Sequence, residues 1–330
     1  MNEVRPYTRA FLFIGGFMYN KTHKTVEELI QIFLDRGMKF HDIEKAKNRL
    51  SHINYYKIKE FASLFYKEFD INGKKEYKYD NVFFEYIITR FYQDKNMRVY
   101  LLHAIEKVEL SFKTKLAYVL GERYEAFGYL QFKNWCNKDK YCRYYIEDKE
   151  KEIKKYLKIL MNREDNQMIK EFFKQNPDCD YPPIWMLIEI LTFGEALKFY
   201  NLMSEKNRKA ISNFYDCTPS ELEGWLKALK FIRNLSAHNI NVIDSKLITN
   251  PPIRNEWKKY LYTDSQNRVS NKIALIIFIL FYMIKKINPD YGFGNFRNIF
   301  VNLFSNKDIN ANRYGFASKD LKIFSKNFTF

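Results

Sequence analysis

TPSELEGWLKALKFIRNLSAHNINVID, residues 218–244, is the stretch on which the reading of this chain turns. Thr218 and Glu221 have the spacing of a capping box, and Pro219 falls where a first helical turn tolerates proline. The segment therefore predicts a helix, apolar enough to continue until Asn239 and Asn241 weaken it. Near its far end, Arg233-Asn234-Leu235-Ser236-Ala237-His238 sets a permanent cation, a carboxamide and an imidazole close together. That set of groups suits the cutting of a phosphodiester. Arg233 would grip phosphate oxygens through its fork of donors and stabilise the charge that builds up in the transition state. His238 would shuttle the proton, because imidazoles ordinarily titrate near neutrality, and Asn234 would add a neutral hydrogen bond.

If the nucleophile is a ribose 2′-hydroxyl, the substrate is RNA and the product end a 2′,3′-cyclic phosphate. No metal or other cofactor is then required. On a regular helix, however, five residues turn about 500°, so Arg233 and His238 project about 140° apart. Either the helix ends or distorts near Ser236, or a second copy completes the site, which predicts a homodimer. Two other pairs share the spacing, Arg36 with His41 and Arg98 with His103. The first crosses Gly37, and the second has Val99 where Asn234 stands. Spacing alone also fits a partly buried histidine at a helix end beside a surface arginine.

Further stretches accompany the motif: TVEELI from Thr25, RLSHINYY from Arg49, HAIEKVELSFKTK from His103, PIWMLIEILTFG from Pro183 and LKFIRNLSAHN from Leu229. In that order, and over residues 25–244, the chain resembles the AbiD/AbiF-type abortive-infection proteins, a branch of the HEPN ribonuclease superfamily with its R-x4-H signature. The resemblance implies an all-α, HEPN-like helical bundle and metal-independent endoribonuclease activity from paired domains. It also implies a growth-arresting toxin in anti-phage defence, bound or regulated by a structured non-coding RNA. The catalytic assignment it carries covers Arg233, Asn234 and His238. Asn239 departs from the second histidine that many relatives have there. The alternative is an RNA-binding protein of the same fold that holds a structured RNA and cuts weakly or not at all.

Composition agrees with an RNA partner. The chain of 330 residues is 46% apolar, enough for a substantial core, and carries a formal charge of +16 with a pI near 9.4. Tyrosines (25) and phenylalanines (30) are interleaved with the lysines, a mixture that suits single-stranded RNA and that AT-rich coding also produces. Cys136, Cys142, Cys179 and Cys217 form no C-x-x-C pair, so neither a zinc site nor a disulfide framework is indicated and a reducing cytoplasm is expected. The N-terminus is too polar for a signal peptide, and the longest apolar run, residues 273–284, is too short to span a membrane.

Along the chain, an irregular arm is expected over residues 1–24. Helices follow from Thr25 to Gly37, from Asp42 with Ile43, Ala46, Leu50 and Ile53 inward, and from Tyr55 to Glu68. These form an N-terminal helical subdomain within residues 1–75, whose Lys45, Lys47, Arg49, Lys57 and Lys59 are candidate RNA contacts or a solvated charged face. After a loop at Gly73, residues 76–290 form the helical domain. A long helical pattern from Asp80 to Leu120 is expected to break near Gln93–Asn96. Within it Glu106 and Glu109 are neighbours that could orient His238, receive a cation or pair with Lys107 and Lys113, and they stay outside the catalytic set. Residues 134–176 read as a charged helical insertion. A core helix carrying Ile184 to Leu197, a helix over Glu205–Tyr215 and another over Asn271–Ile287 complete the bundle. Residues 291–330 are expected to pack on it as short helices at most.

Overall fold

The computed structural model of the chain describes residues 22–71, 74–163, 165–305 and 309–325. The arm expected over residues 1–24 falls outside them as far as residue 21, and so does the loop at Gly73. Thirteen α-helices and one two-stranded hairpin lie among the described residues, so the fold is all-α with a small β appendage. The chain divides into two compact units, one ending at Phe91 and one comprising Tyr92–Phe330.

In the first unit, α1 (Val26–Asp35) starts from the Thr25–Glu28 capping box and stops at Gly37, whose φ of 83° only glycine takes without strain. Gly37 also has no room for a side chain, since a Cβ there would lie 2.6 Å from the Tyr79 carbonyl oxygen. Asp42 caps α2 (Ile43–His52), which buries Ala46 and Leu50. Ile43 is exposed, contrary to the inward stripe, so the buried face of α2 begins at Ala46. The helix expected from Tyr55 to Glu68 ends early: α3 is Tyr55–Ala62, and the chain passes through a 3-10 turn into β1 (Tyr66–Ile71), paired antiparallel with β2 (Lys74–Tyr79). The Tyr66 and Tyr79 rings stack at 4.5 Å across the hairpin, and such cross-strand aromatic pairs are what a two-stranded ribbon has to hold it.

Helix α4 (Phe84–Tyr124) is an unbroken helix of 41 residues, most of which, from Tyr92 on, belong to the second unit. The expected break at Gln93–Asn96 does not occur, because the polar residue there that would face the core, Asp94, finds hydrogen-bond partners inside the protein. Next come α5 (Phe132–Trp135), then the charged insertion as α6 (Arg143–Arg163) and α7 (Gln167–Gln175). Residues 184–197 form two helices where one was expected: α8 (Ile184–Ile190) stops at Leu191, and a second capping box, Thr192 with Glu195, starts α9 (Phe193–Leu202). The remaining helices are α10 (Glu205–Asn213), α11 (Pro219–Ala237), α12 (Ile273–Ile287) and α13 (Gly294–Phe304).

Helix α12 is apolar on every side and is buried from Ile273 to Phe281, as a helix enclosed by others must be. The C-terminal region is more ordered than short helices alone: α13 runs three turns and buries Phe296, Ile299, Phe300 and Leu303, with Phe300 stacked on Phe324 at 5.5 Å. No helix among the described residues is long and apolar enough to cross a membrane.

Candidate active site

Helix α11 begins as its sequence dictates. The Glu221 N–H donates to Thr218 Oγ1 at 3.1 Å, and the Thr218 N–H to Glu221 Oε2 at 2.8 Å. Leu222, Trp225, Leu229, Ile232 and Leu235 fall on the buried face, which turns the remaining positions outward. The helix stays regular to Ala237, and His238 is its C-cap. Asn239 then adopts φ 57°, the left-handed conformation that asparagine tolerates better than most residues. Its N–H reaches the Ser236 carbonyl at 3.3 Å, and the Ile240 N–H reaches that of Leu235 at 2.9 Å. This pair of bonds is a Schellman motif, with Leu235 and Ile240 as its apolar contact positions.

A buried ion pair on α4 anchors this helix end. Asp94, with no exposure, accepts from the Val242 and Ile243 N–H groups at 2.8 and 3.1 Å, and its other oxygen lies 2.9 Å from Arg98 Nε. Arg98 in turn donates from Nη1 to Asn239 Oδ1 at 2.6 Å. The side chain that fixes the turn after His238 is thus held by a guanidinium inside the protein. Arg98 is accordingly committed to structure, and its spacing to His103 makes no second site.

Arg233 and His238 are exposed and Asn234 half-exposed, so all three candidate catalytic residues are accessible from outside the chain. They lie on the last turn and cap of one helix. Because that helix is regular through Ser236, Arg233 and His238 still project about 140° apart. Ser236 lies on the opposite, buried face, and its Oγ has no hydrogen-bond partner among the described residues. An enclosed hydroxyl without a partner costs about 1–3 kcal/mol, so Ser236→Ala is expected to leave stability unchanged or raise it by about 1 kcal/mol. A loss of more than that in a thermal melt would mean the hydroxyl has a bonded role.

Sequence reasoning placed Glu109 outside the catalytic set, and the structure sets it beside Arg233 as a half-buried neighbour. Burial pushes its carboxyl above the ordinary carboxylate range; Arg233 and Lys113 oppose the shift, Glu106 adds to it, and a hydrogen bond from the Phe193 N–H opposes it further. Lys113 itself is buried, with Nζ 3.3 Å from the Glu189 carbonyl oxygen. Three of the stretches singled out in the sequence therefore meet here, those from His103, Pro183 and Leu229. The folded carboxyl keeps its proton to higher pH than the unfolded one. Ionising it thus weakens the fold as pH rises from the usual carboxylate range to the folded-state value. Glu109→Gln is expected to flatten that part of the melting-temperature profile; an unchanged profile would mean the carboxyl is not desolvated.

The neighbouring cation of the motif is Lys230, one turn before Arg233 and Asn234. It crosses the first turn of α9, where a Cβ added to Gly194 would sit 3.6 Å from its Nζ. Sequence reasoning weighed Arg98 only for its spacing to His103 and did not single out Asp94 or Lys230; the i,i+4 spacing of Asp94 and Arg98 is local, but nothing local marks their bonds to Asn239, Val242 and Ile243.

The five candidate RNA-contacting cations belong to the other unit. On α2, Lys45 pairs with Asp42 at 3.2 Å, Lys47 with Glu44 at 2.9 Å and Glu27 at 3.9 Å, and Arg49 is exposed. On α3, Lys57 pairs with Glu60 at 2.8 Å. Lys59 lies over the Tyr56 ring, and burial, helped by the nearby Arg36, lowers its pKa to about 8. Lys45, Lys47 and Lys57 thus have carboxylate partners close by, which reduces the charge that face presents.

The described molecule is an all-helical protein that presents an arginine, a carboxamide and an imidazole at the end of one helix. Residues 48–244 match the Abi-like protein family, well over half of the chain, and the chain belongs to that family. Its role is accordingly in abortive infection, a form of antiviral defence. Comparison with curated proteins and with solved structures finds no match.

Proposed function

We propose that the protein is a metal-independent endoribonuclease of the HEPN type, of the AbiD/AbiF kind, acting in the cytoplasm as the toxin of an anti-phage system. The observation that carries this reading is the exposed Arg233, Asn234 and His238 on a helix end fixed from behind by the buried Asp94–Arg98 pair. The angle between Arg233 and His238 is why the site is a homodimer's. In such a site one imidazole takes the proton from the ribose 2′-hydroxyl, whose oxygen attacks phosphorus. The second, as imidazolium, gives a proton to the departing 5′-oxygen. The guanidinium groups hold the phosphate oxygens as their negative charge grows. The products are a 2′,3′-cyclic phosphate and a 5′-hydroxyl end. A structured non-coding RNA on the basic surface would regulate the toxin by covering the site.

The test is a synthetic RNA incubated with purified protein in the presence of a chelator. Cleavage is expected to leave 3′ ends that cannot be extended until the cyclic phosphate is removed. A single 2′-deoxy substitution at the cut nucleotide is expected to stop the cut there, since it removes the nucleophile. Equal cleavage of the deoxy-substituted strand would exclude this chemistry. Binding without any cleavage would leave the protein as an RNA holder.

A further inference from the structure

Between α6 and α9 lies a cavity of about 530 Å³, within the range that takes a nucleotide-sized ligand. Tyr141, Tyr145, Tyr156, Lys149, Lys198 and Asn201 are among its walls. Tyr141 and Tyr145 stack at 4.9 Å with their planes 15° apart, and Lys149 Nζ stands 5.6 Å from the Tyr145 ring centre. The Tyr141 hydroxyl donates to the Asn201 carbonyl, and that of Tyr156 to Glu195, so the rings are held in place. One cation of the wall is left over, since the exposed Lys198 has no carboxylate partner among the described residues; Asn201 Oδ1 also lacks a donor but is enclosed by protein. A second cavity of about 920 Å³ shares Tyr141 and adds Lys138 and Arg143.

We propose that this cavity is a base-binding subsite for the single-stranded RNA on which the site at Arg233 and His238 acts. The inference rests on the ribonuclease reading for its ligand. Aromatic rings beside cations are what an unstacked base and its phosphate need, because every base has a face to stack and the backbone carries the charge. The connection to the cutting residues is short. On the cavity wall Glu195 adjoins Gly194 and Lys198 is one turn beyond it, Gly194 faces Lys230, and Lys230 is one turn from Arg233 and Asn234. The strand would run from the cavity past Lys198 and Lys230 to the scissile phosphate.

The test is fluorescence anisotropy of labelled ten-nucleotide RNAs bound to His238→Ala protein, which separates binding from cleavage. Tyr145→Ala is expected to weaken oligoadenylate binding roughly 5- to 150-fold, the loss of one stacked base. Tyr145→Phe is expected to retain it, and oligoadenylate to bind more tightly than oligouridylate because the larger purine stacks more strongly. Lys198→Ala, a surface change that does not threaten folding, is expected to lower the slope of log affinity against log salt by about 0.7. Unchanged affinity in both Tyr145→Ala and Lys198→Ala overturns the subsite. So does equal loss in Tyr145→Ala and Tyr145→Phe, since it would mean that stacking is not involved. If these effects appear while the parent protein cuts no RNA, the nuclease reading fails and the subsite stands. If the parent cuts RNA and the variants bind it unchanged, the reverse holds.

Discussion

His238→Ala is expected to reduce RNA cleavage at least about 10²-fold, and up to about 10⁴-fold, the range that a positioned general acid or base contributes. The same change is expected to leave the melting temperature almost unaltered. His238 is exposed at the helix cap, with φ −94° and ψ 14°, a conformation alanine adopts without strain. Exposed substitutions of this kind usually stay within about 0.5 kcal/mol. RNA retention should persist, because Arg233 and Lys230 remain. Arg233→Lys keeps the charge and loses the fork, so it should also impair cleavage while sparing the fold. The two variants also test the dimer: mixed Arg233→Ala and His238→Ala chains should recover part of the activity that each lacks alone. Growth arrest that survives His238→Ala would sink the nuclease reading.

The largest effect on stability is expected from Asp94→Ala. It leaves the Arg98 guanidinium buried without its charge partner and the Val242 and Ile243 N–H groups without an acceptor. Removing one member of a buried pair typically costs about 3–5 kcal/mol. In a unit of this size that corresponds to a fall in melting temperature on the order of 6–20 °C. Asp94→Asn keeps an acceptor for the two amides and should lose less. The double change Asp94→Ala with Arg98→Met should recover much of the loss, because the uncompensated charge is gone. A shift of only a degree or two in Asp94→Ala would show that the helix end does not depend on this anchor. Cleavage should fall along with stability, since the turn after His238 hangs on the same pair.

Much of the scaffold was legible without coordinates. The capping boxes at Thr25 and Thr218 and the glycine stop at Gly37 appear where the sequence places them, because caps are local hydrogen bonds between residues three apart. The box at Thr192–Glu195 was equally legible but masked by the apolar run of Ile184 to Leu191, which reads as one helix. The hairpin had its own signal in Asn72-Gly73 between alternating residues. Helical spacing in Tyr55–Glu68 competes with it, and only the pairing partner decides between the two.

The sequence alone determined that this is a helical protein, and that an arginine, a carboxamide and an imidazole stand at the end of the helix that Thr218 caps. Tertiary structure decided that the long helix runs unbroken through Asp94, that Arg98 holds Asn239 while Arg233 stays exposed, and that a tyrosine-lined cavity is walled by the helix, α9, whose Gly194 faces Lys230. The reason is range: a cap is set by neighbours in sequence, whereas a buried charge or a ring-lined hollow is set by residues that meet only when the chain has folded.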